Sequence, residues 1–284
     1  MLAPDTRDQA DAKLLRHAVR EAGAFILERM KRPYRTTQKP GTPTPWGQTE
    51  PSPVTDVDLE TDALLTEHLR SARPDYGWLS EETADDPARL ACQRVFIADP
   101  IDGTTAFLKA KPEFTVVAAV VENGTPRAAA IFNPMTDELF EAARGHGVRR
   151  NGVALSVSHV DMLEGARMLG AAEFFAHPGW PKPWPALNLT KRASLAYRLA
   201  LISAGEQDGY LALTPKHEWD IAAGALLIEE AGGRITTHDG EPLAFNQPIP
   251  QLRSIVCAGP ALHALILDHI KDVRIPAPKT PQKS

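Results

Sequence analysis

Residues 95–107 read VFIADPIDGTTAF, and this stretch constrains the chain more than any other. The apolar run Val95 to Ala98 has the length and composition of a buried strand. It ends at Asp99, and Pro100, Ile101, Asp102 and Gly103 have the composition of a turn. Thr104 and Thr105 follow at a helix start. Two carboxylates, Asp99 and Asp102, thus fall on one turn, three residues apart. Carboxylate oxygens are ligands for hard cations such as Mg²⁺. The N–H groups of a helix start suit a phosphate oxyanion. One turn would then carry both the metal ligands and the phosphate cradle that metal-assisted phosphoryl chemistry requires. An acidic turn ending in Gly also serves as a plain helix cap, so the surrounding chain has to decide.

With 284 residues the chain can bury a sizeable core, as one large domain or as two lobes sharing a cleft. The division expected is an N-terminal α+β half, residues 1–155, and an α/β half, residues 156–284, that completes the site. A formal net charge of −5 argues against a protein that coats a nucleic-acid polymer. It leaves room for a small anionic substrate, because a bound metal inverts the local field. Cys92 and Cys257 lie far apart and show no metal-ligand spacing, which fits a reducing compartment. The polar start MLAPDTRDQADAK lacks the apolar stretch of a signal peptide, and no run approaches a membrane span. The expectation is a cytoplasmic protein with no transmembrane segment.

Asp8 to Met30 carries Leu15, Val19, Ala22 and Ile26 at helical spacing. Prolines from Pro33 to Pro53 mark a long loop holding Lys31, Arg32, Arg35 and Lys39. A second helix follows in PVTDVDLETDALLTEHL. Its first turns hold Asp56, Asp58, Glu60 and Asp62, either as partners of the helix dipole or with one acid aimed at the metal. His68 on its apolar face reads as a packed histidine. Gly77 to Ser80 is a short strand closed by Glu81 and Glu82. Phe114–Val121, Ala128–Phe132 and Glu138–Ala143 form an antiparallel meander, with hairpin turns at Asn123-Gly124 and Asn151-Gly152. Later come a strand at Met168–Ala172, a helix at Ser194–Ser203 capped by Ser194, a strand at Gly209–Leu213 and a helix at Trp219–Ala231. Strands at Ile235-Thr236 and Ser254–Ala258 and a helix from Pro260 to about Lys271 close the chain. Alternating strands and helices imply an α/β fold.

A strand followed by Asp-Gly-Thr resembles the haloacid dehalogenase phosphatases, whose nucleophile sits two residues before the second Asp. Here that residue is Pro100, so the pattern fails at its defining step. Four segments instead resemble the inositol monophosphatase superfamily of Mg²⁺-dependent, lithium-sensitive phosphatases, and in the family's order. They are VTDVD, with Asp58; WLSEET; the Asp-Pro-Ile-Asp-Gly-Thr core; and Trp219-Asp220 followed by AAGALLIEEAGG. The resemblance implies a layered αβαβα fold. It implies that Glu81, Asp99, Asp102 and Asp220, with the Ile101 carbonyl, bind two or three Mg²⁺ ions. It implies that Asp58 and Thr104 activate the attacking water. Gly103, Thr104 and Thr105 would hold the phosphate, with Glu81, Asp102 and Asp220 also facing the substrate. Members of the superfamily are monomers or homodimers.

Within the superfamily, EFTVVAAV, SLAYRL and KHEWDIAAG look most like the CysQ branch. The resemblance implies a 3'(2'),5'-bisphosphate nucleotidase that converts 3'-phosphoadenosine 5'-phosphate to AMP. Inositol monophosphatases usually place a Glu seven residues before the last metal Asp, a position held here by Leu213. An apolar residue there is a poor partner for a polyol. Thr105-Ala106 departs from the Lys-Glu common in the CysQ branch. Lys216, Arg198 and Ser194 are candidates to meet a second phosphate or a ribose. The alternatives are an inositol-1-monophosphatase or another small sugar or alcohol phosphatase and, outside catalysis, a phosphate-binding regulator on the same fold.

Overall fold

A computed structural model describes residues 6–39 and 52–275. The first half runs α1 (Thr6–Arg29), β1 (Thr36–Lys39), β2 (Ser52–Thr55), α2 (Asp56–Ala72), β3 (Gly77–Ser80), β4 (Arg94–Asp102), α3 (Thr104–Leu108), β5 (Thr115–Glu122), β6 (Thr125–Asn133), β7 (Glu138–Ala143), β8 (Val148–Arg150) and β9 (Val153–Ala154). The second runs β10 (Arg167–Leu169), α4 (Ala172–Phe175), β11 (Asn188–Thr190), α5 (Leu195–Ser203), β12 (Gly209–Ala212), β13 (Lys216–His217), α6 (Ala222–Glu230), β14 (Arg234–Thr236), β15 (Gln251–Leu252), β16 (Ile255–Ala258) and α7 (Pro260–Ile270).

The side-chain alternation of the strands explains how these elements stack. On β4, Val95 and Ile97 point to one face of the sheet and Phe96 and Ala98 to the other. The same alternation runs through Val116–Val121 on β5 and Ala128–Phe132 on β6. Both faces are apolar, so both must be covered. Helices α1 and α2 cover one face of the seven-stranded sheet β3-β4-β5-β6-β7-β8-β9. Helices α5 and α6 cover the other, and also pack on the five-stranded sheet β11-β10-β12-β16-β14. On β16, Ile255 and Cys257 face this middle layer, whereas Val256 and Ala258 face α7 through Leu262 and Ile266. The five layers are therefore α, β, α, β, α, as the family resemblance implies.

The meander reads as two helices beside a sheet, and the structure adds the second cover. Helices α5 and α6 approach so closely that a Cβ on Gly224 would lie 2.4 Å from Leu199 Cδ1. Both Asn-Gly turns form, with Asn123 and Asn151 at φ 50° and 47° ahead of Gly124 and Gly152 at 78° and 85°. These positive angles are what a type I′ hairpin requires.

Four expectations change. The strand expected to stop at Asp99 continues to Asp102, because pairing with β5 slips after Asp99 and resumes where Asp102 faces Thr115. The loop expected between Pro33 and Pro53 contains a short ladder, with Thr36 opposite Thr55 and Lys39 opposite Ser52; Pro40, Pro43, Pro45 and Pro51 lie outside the described residues. The strand expected over Met168–Ala172 ends at Leu169, and Ala172 opens α4. The helix expected from Trp219 starts at Ala222, because Trp219 to Ile221 form a turn in which the Ile221 and Ala222 amides bond the Glu218 carbonyl. No helix among the described residues is long and apolar enough to cross a membrane.

Candidate active site

The site grows from the end of β4. Strand β3 runs parallel to β4 with Ser80 beside Ala98, so the next residue of each chain segment, Glu81 and Asp99, emerges at the same edge. Asp220 reaches the same point from the turn before α6. Glu81, Asp99 and Asp220 offer carboxylate oxygens that all lie within 4.8 Å of one another. The Ile101 N–H donates to Asp99 Oδ1 at 3.0 Å, while Asp99 Oδ2 is buried with no hydrogen-bond partner among the described residues.

Burial and mutual repulsion dominate the electrostatics of this cluster. Burial first, then the charges of Glu81, Asp102 and Asp220, hold the Asp99 carboxyl well above the usual carboxylate range. Asp220 is raised in the same way by burial, Asp102 and Glu81. Burial pushes Glu81 up to about 7 against the opposing pull of Lys39. Lys39 Nζ lies 3.7 Å from Glu81 and 2.5 Å from Glu82. Converging carboxylates with an orphaned oxygen among them form the hard-oxygen donor set that a divalent cation such as Mg²⁺ satisfies. The residues present fit that ion.

Asp102 stands beside the cluster but points elsewhere. Its carboxylate accepts from Ser194 Oγ at 2.6 Å, from the Ala196 N–H at 2.6 Å and from the Leu195 N–H at 3.2 Å. These are the cap and first turn of α5, so Asp102 fastens the end of β4 to that helix. The Ser194 hydroxyl in turn accepts from the Tyr197 N–H at 2.9 Å, which makes it the N-cap the sequence suggests.

Behind the cluster, Asp58 occupies the third helical position of α2 and is 1% exposed. The Thr55 N–H and hydroxyl both donate to its Oδ2, at 2.8 and 2.5 Å, completing a capping box. Thr104 Oγ1 donates toward Asp58 Oδ1 and the Ile101 carbonyl, each at 3.2 Å. Burial raises the Asp58 carboxyl above its ordinary value, and the bonds from Thr55 and Thr104 oppose that rise. The other acids of α2 serve the fold. Asp56 and Glu60 meet Arg29, and Asp62 accepts from Ser80 and Thr83. Gly103 precedes Thr104 at φ +99°, where a Cβ would come within 2.9 Å of the Glu113 carbonyl. Only glycine fits that turn easily.

The cleft over these groups has a volume of about 630 Å³. Glu81, Asp99, Ile101, Asp102, Gly103, Thr104, Thr105 and Asp220 line it, together with Lys39, Ser52, Ala193, His217 and Trp219. The sequence does not mark His217 as a lining residue, and it marks Lys39 only as one cation of a loop. The His217 ring stacks on Trp219 with centroids 4.4 Å apart and planes 5° from parallel. Burial, then Lys216 and Lys39, push the His217 imidazole down to about 4, so it is neutral at ordinary pH. Lys216 donates to Thr214, and Leu213 packs with the apolar cluster under α7 rather than lining the cleft.

A second groove of about 440 Å³ adjoins the cleft and shares Thr105 and Ala193 with it. Five cationic side chains, Lys109, Lys111, Lys191, Arg192 and Arg198, line it against the single acid Glu113. Arg192 lies 3.5 Å from Glu113 and Lys191 lies 3.3 Å from Glu173. Arg198 packs over the Tyr210 ring and donates to the Arg192 carbonyl.

Known proteins share this architecture. Residues 8–274 match the model of the inositol monophosphatase family. The chain is 32% identical over 227 residues to the Nus factor SuhB of Vibrio cholerae, covering 77% of this chain and 82% of that protein. It is 29% identical over 265 residues to the inositol-1-monophosphatase of Bacillus subtilis, covering 90% and 94%. The crystal structure of the extragenic suppressor protein SuhB from Bartonella henselae superposes with a TM-score of 0.73 at 26% identity, over 93% of this chain and all (100%) of that one. The layered fold, the carboxylate cleft at the end of β4 and a family match spanning nearly every described residue agree, and the chain belongs to the inositol monophosphatase family.

Proposed function

We propose that this protein is a Mg²⁺-dependent phosphomonoesterase that releases phosphate by direct attack of water. The observation that carries the reading is the convergence of Glu81, Asp99 and Asp220 beside the Thr104–Asp58 hydrogen bond. Glu81, Asp99 and Asp220, with the Ile101 carbonyl and the remaining lone pair of Asp102, would hold Mg²⁺, which when bound supplies Lewis-acid activation of water and neutralises phosphate charge. Thr104 Oγ1 gives its proton toward Asp58 and turns a lone pair to the cleft, where it can orient water and accept its proton. Asp58, held by Thr55, receives the proton as the water oxygen bonds to phosphorus and the ester P–O bond breaks. The departing alkoxide takes a proton from solvent. The first-turn amides of α3 at Thr104 and Thr105 have no partner within the helix, and they meet the phosphate oxygens. No covalent enzyme intermediate is needed. Both halves of the chain contribute, since Asp220 and Ala193 come from the second.

The substrate we propose is 3'-phosphoadenosine 5'-phosphate. The basic groove adjoining the cleft suits a second phosphate on the same molecule. The stacked His217–Trp219 pair suits the flat face of a base. Inositol 1-phosphate is the second reading, favoured by the activity named for the B. subtilis relative. The relative named Nus factor keeps a non-catalytic role in view, but here every acid the chemistry needs is in place.

Phosphate release in Mg²⁺ from 3'-phosphoadenosine 5'-phosphate, inositol 1-phosphate, fructose 1,6-bisphosphate and histidinol phosphate tests the reading, with Asp99→Asn as the inactive control. The expected result is highest kcat/KM on the nucleotide bisphosphate. Lys109→Ala/Lys111→Ala should lower kcat/KM on it by about tenfold, the effect of one or two lost charge-assisted contacts. A preference for inositol phosphate would keep the chemistry and replace the substrate. No Mg²⁺-dependent release from any of the four would overturn the proposal.

A further inference from the structure

A second set of ligating side chains lies far along α1 and α2 from Asp58. His17 and Glu21 stand one turn apart on α1, and His68 faces them from α2. Their ligand atoms all lie within 4.8 Å of one another. Glu21 Oε1 is 3.3 Å from His17 Nε2, and Glu21 Oε2 is 2.9 Å from His68 Nδ1. The imidazole rings meet edge to face with centroids 5.1 Å apart. His68 reads from its helical position as a packed core residue, yet its side chain is 26% exposed and turned to this carboxylate. The helix spacing i, i+4 fixes the first pair, and packing of α1 on α2 supplies the third donor.

The arginines around this cluster are already committed. Arg16 pairs with Glu141 at 3.3 Å, Arg20 with Asp137 at 3.0 Å and Arg73 with Asp11 at 3.1 Å. Glu21 is left to the two imidazoles. Two imidazole nitrogens and one carboxylate oxygen form a borderline donor set with room for water on the exposed side. Such a set selects late first-row divalent ions, and a hard ion such as Mg²⁺ competes poorly for it. The carboxylate cluster Glu81, Asp99 and Asp220, whose donors are all oxygen, has the opposite preference.

We infer that His17, Glu21 and His68 form a binding site for a late first-row divalent cation of the Zn²⁺ type, separate from the carboxylate cleft. The bound ion would join α1 to α2 and stabilise the outer helical layer.

Calorimetric titration with Zn²⁺ in saturating Mg²⁺ tests this, comparing the wild-type protein with His17→Gln and Glu21→Gln. The His17 side chain is 64% exposed, so its replacement leaves the fold in place. The expected result is loss of one Zn²⁺ per chain, or weakening of that event by roughly tenfold or more, the loss that even an outer-shell partner produces. The rise in Tm caused by Zn²⁺ should shrink in the same variants. In the wild-type protein, the imidazole ¹⁵N resonances of His17 and His68 should shift together during the titration. Zn²⁺ isotherms identical in wild type and both variants, or His17 and His68 resonances that do not move, would overturn the inference and leave only a hydrogen-bonded surface cluster.

Discussion

Thr104 Oγ1 has one proton and two acceptors at 3.2 Å, Asp58 Oδ1 and the Ile101 carbonyl. A hydroxyl shared in this way is oriented, and its lone pairs are turned from the acceptors toward the cleft. Thr104→Ala removes the relay without touching a carboxylate. Turnover is expected to fall by about 10²–10⁴-fold, the usual range for a lost general acid–base partner. Half-saturation by Mg²⁺ should stay within about threefold, because no acidic ligand is lost. Equal losses in turnover and Mg²⁺ dependence would assign Thr104 to shaping the metal site. At this scale much was legible in the sequence. Asp99, Asp102 and Thr104 stand out by their place on a turn between a strand end and a helix start. Asp58, Glu81 and Asp220 are singled out only by the family resemblance, since their own surroundings also suit a helix start or a solvated turn. Lys39 and His217 are marked by neither, since their places in the cleft depend on short ladders, β1 with β2 and β13 with β15, whose strands show no clear pattern of their own.

The long apolar elements were equally legible. The strands β5, β6 and β7 and the helices α1, α2 and α7 fall within a few residues of their expected bounds, because periodicity over many residues survives local detail. The differences lie at the ends of elements and in short ladders. Helix α6 begins three residues later than its sequence pattern suggests, because the backbone first turns to aim Asp220. The meander gave no hint that α5 and α6 would seal its second face, since that contact joins segments about a hundred residues apart. Gly224 is the residue that lets those helices meet. Gly224→Ala puts a methyl within 2.4–2.5 Å of Leu199 side-chain carbons. The expected cost is about 1–3 kcal/mol, as for other overpacked cores. Urea unfolding measures it, and Leu199→Ala in the same background should recover part of the loss.

Over the whole molecule, pH acts on buried groups far from the cleft. His238 and His263 are buried, and burial lowers both imidazole pKa values below the ordinary 6.5. The fold therefore prefers their neutral forms, and the unfolded chain binds protons that the folded chain refuses. Their contribution to stability is present above about pH 6.5 and is lost as the pH falls through that value. Glu218, which burial pushes up to about 7, gains stability as the pH falls over part of this range and opposes them. The histidines' share of the Tm change between pH 7.5 and 5.5 in saturating Mg²⁺ is therefore read by difference from a variant. The slope of Tm against pH should be less positive in His263→Gln, whose amide can keep the bond to Thr236 that His263 Nε2 now makes at 2.9 Å. An unchanged slope would place the acid sensitivity elsewhere.

The carboxylate of Asp102 has about four lone-pair positions, and three are spoken for by Ser194, Leu195 and Ala196. The acid that most resembles a reagent in the sequence is therefore also a rivet between the first sheet and the helix that carries the second. An amide in its place would turn an N–H₂ group toward some of those donors. Lost activity in an Asp102 variant would then confound chemistry with assembly. Asp99, whose second oxygen has no hydrogen-bond partner among the described residues, is the position where the two can be separated.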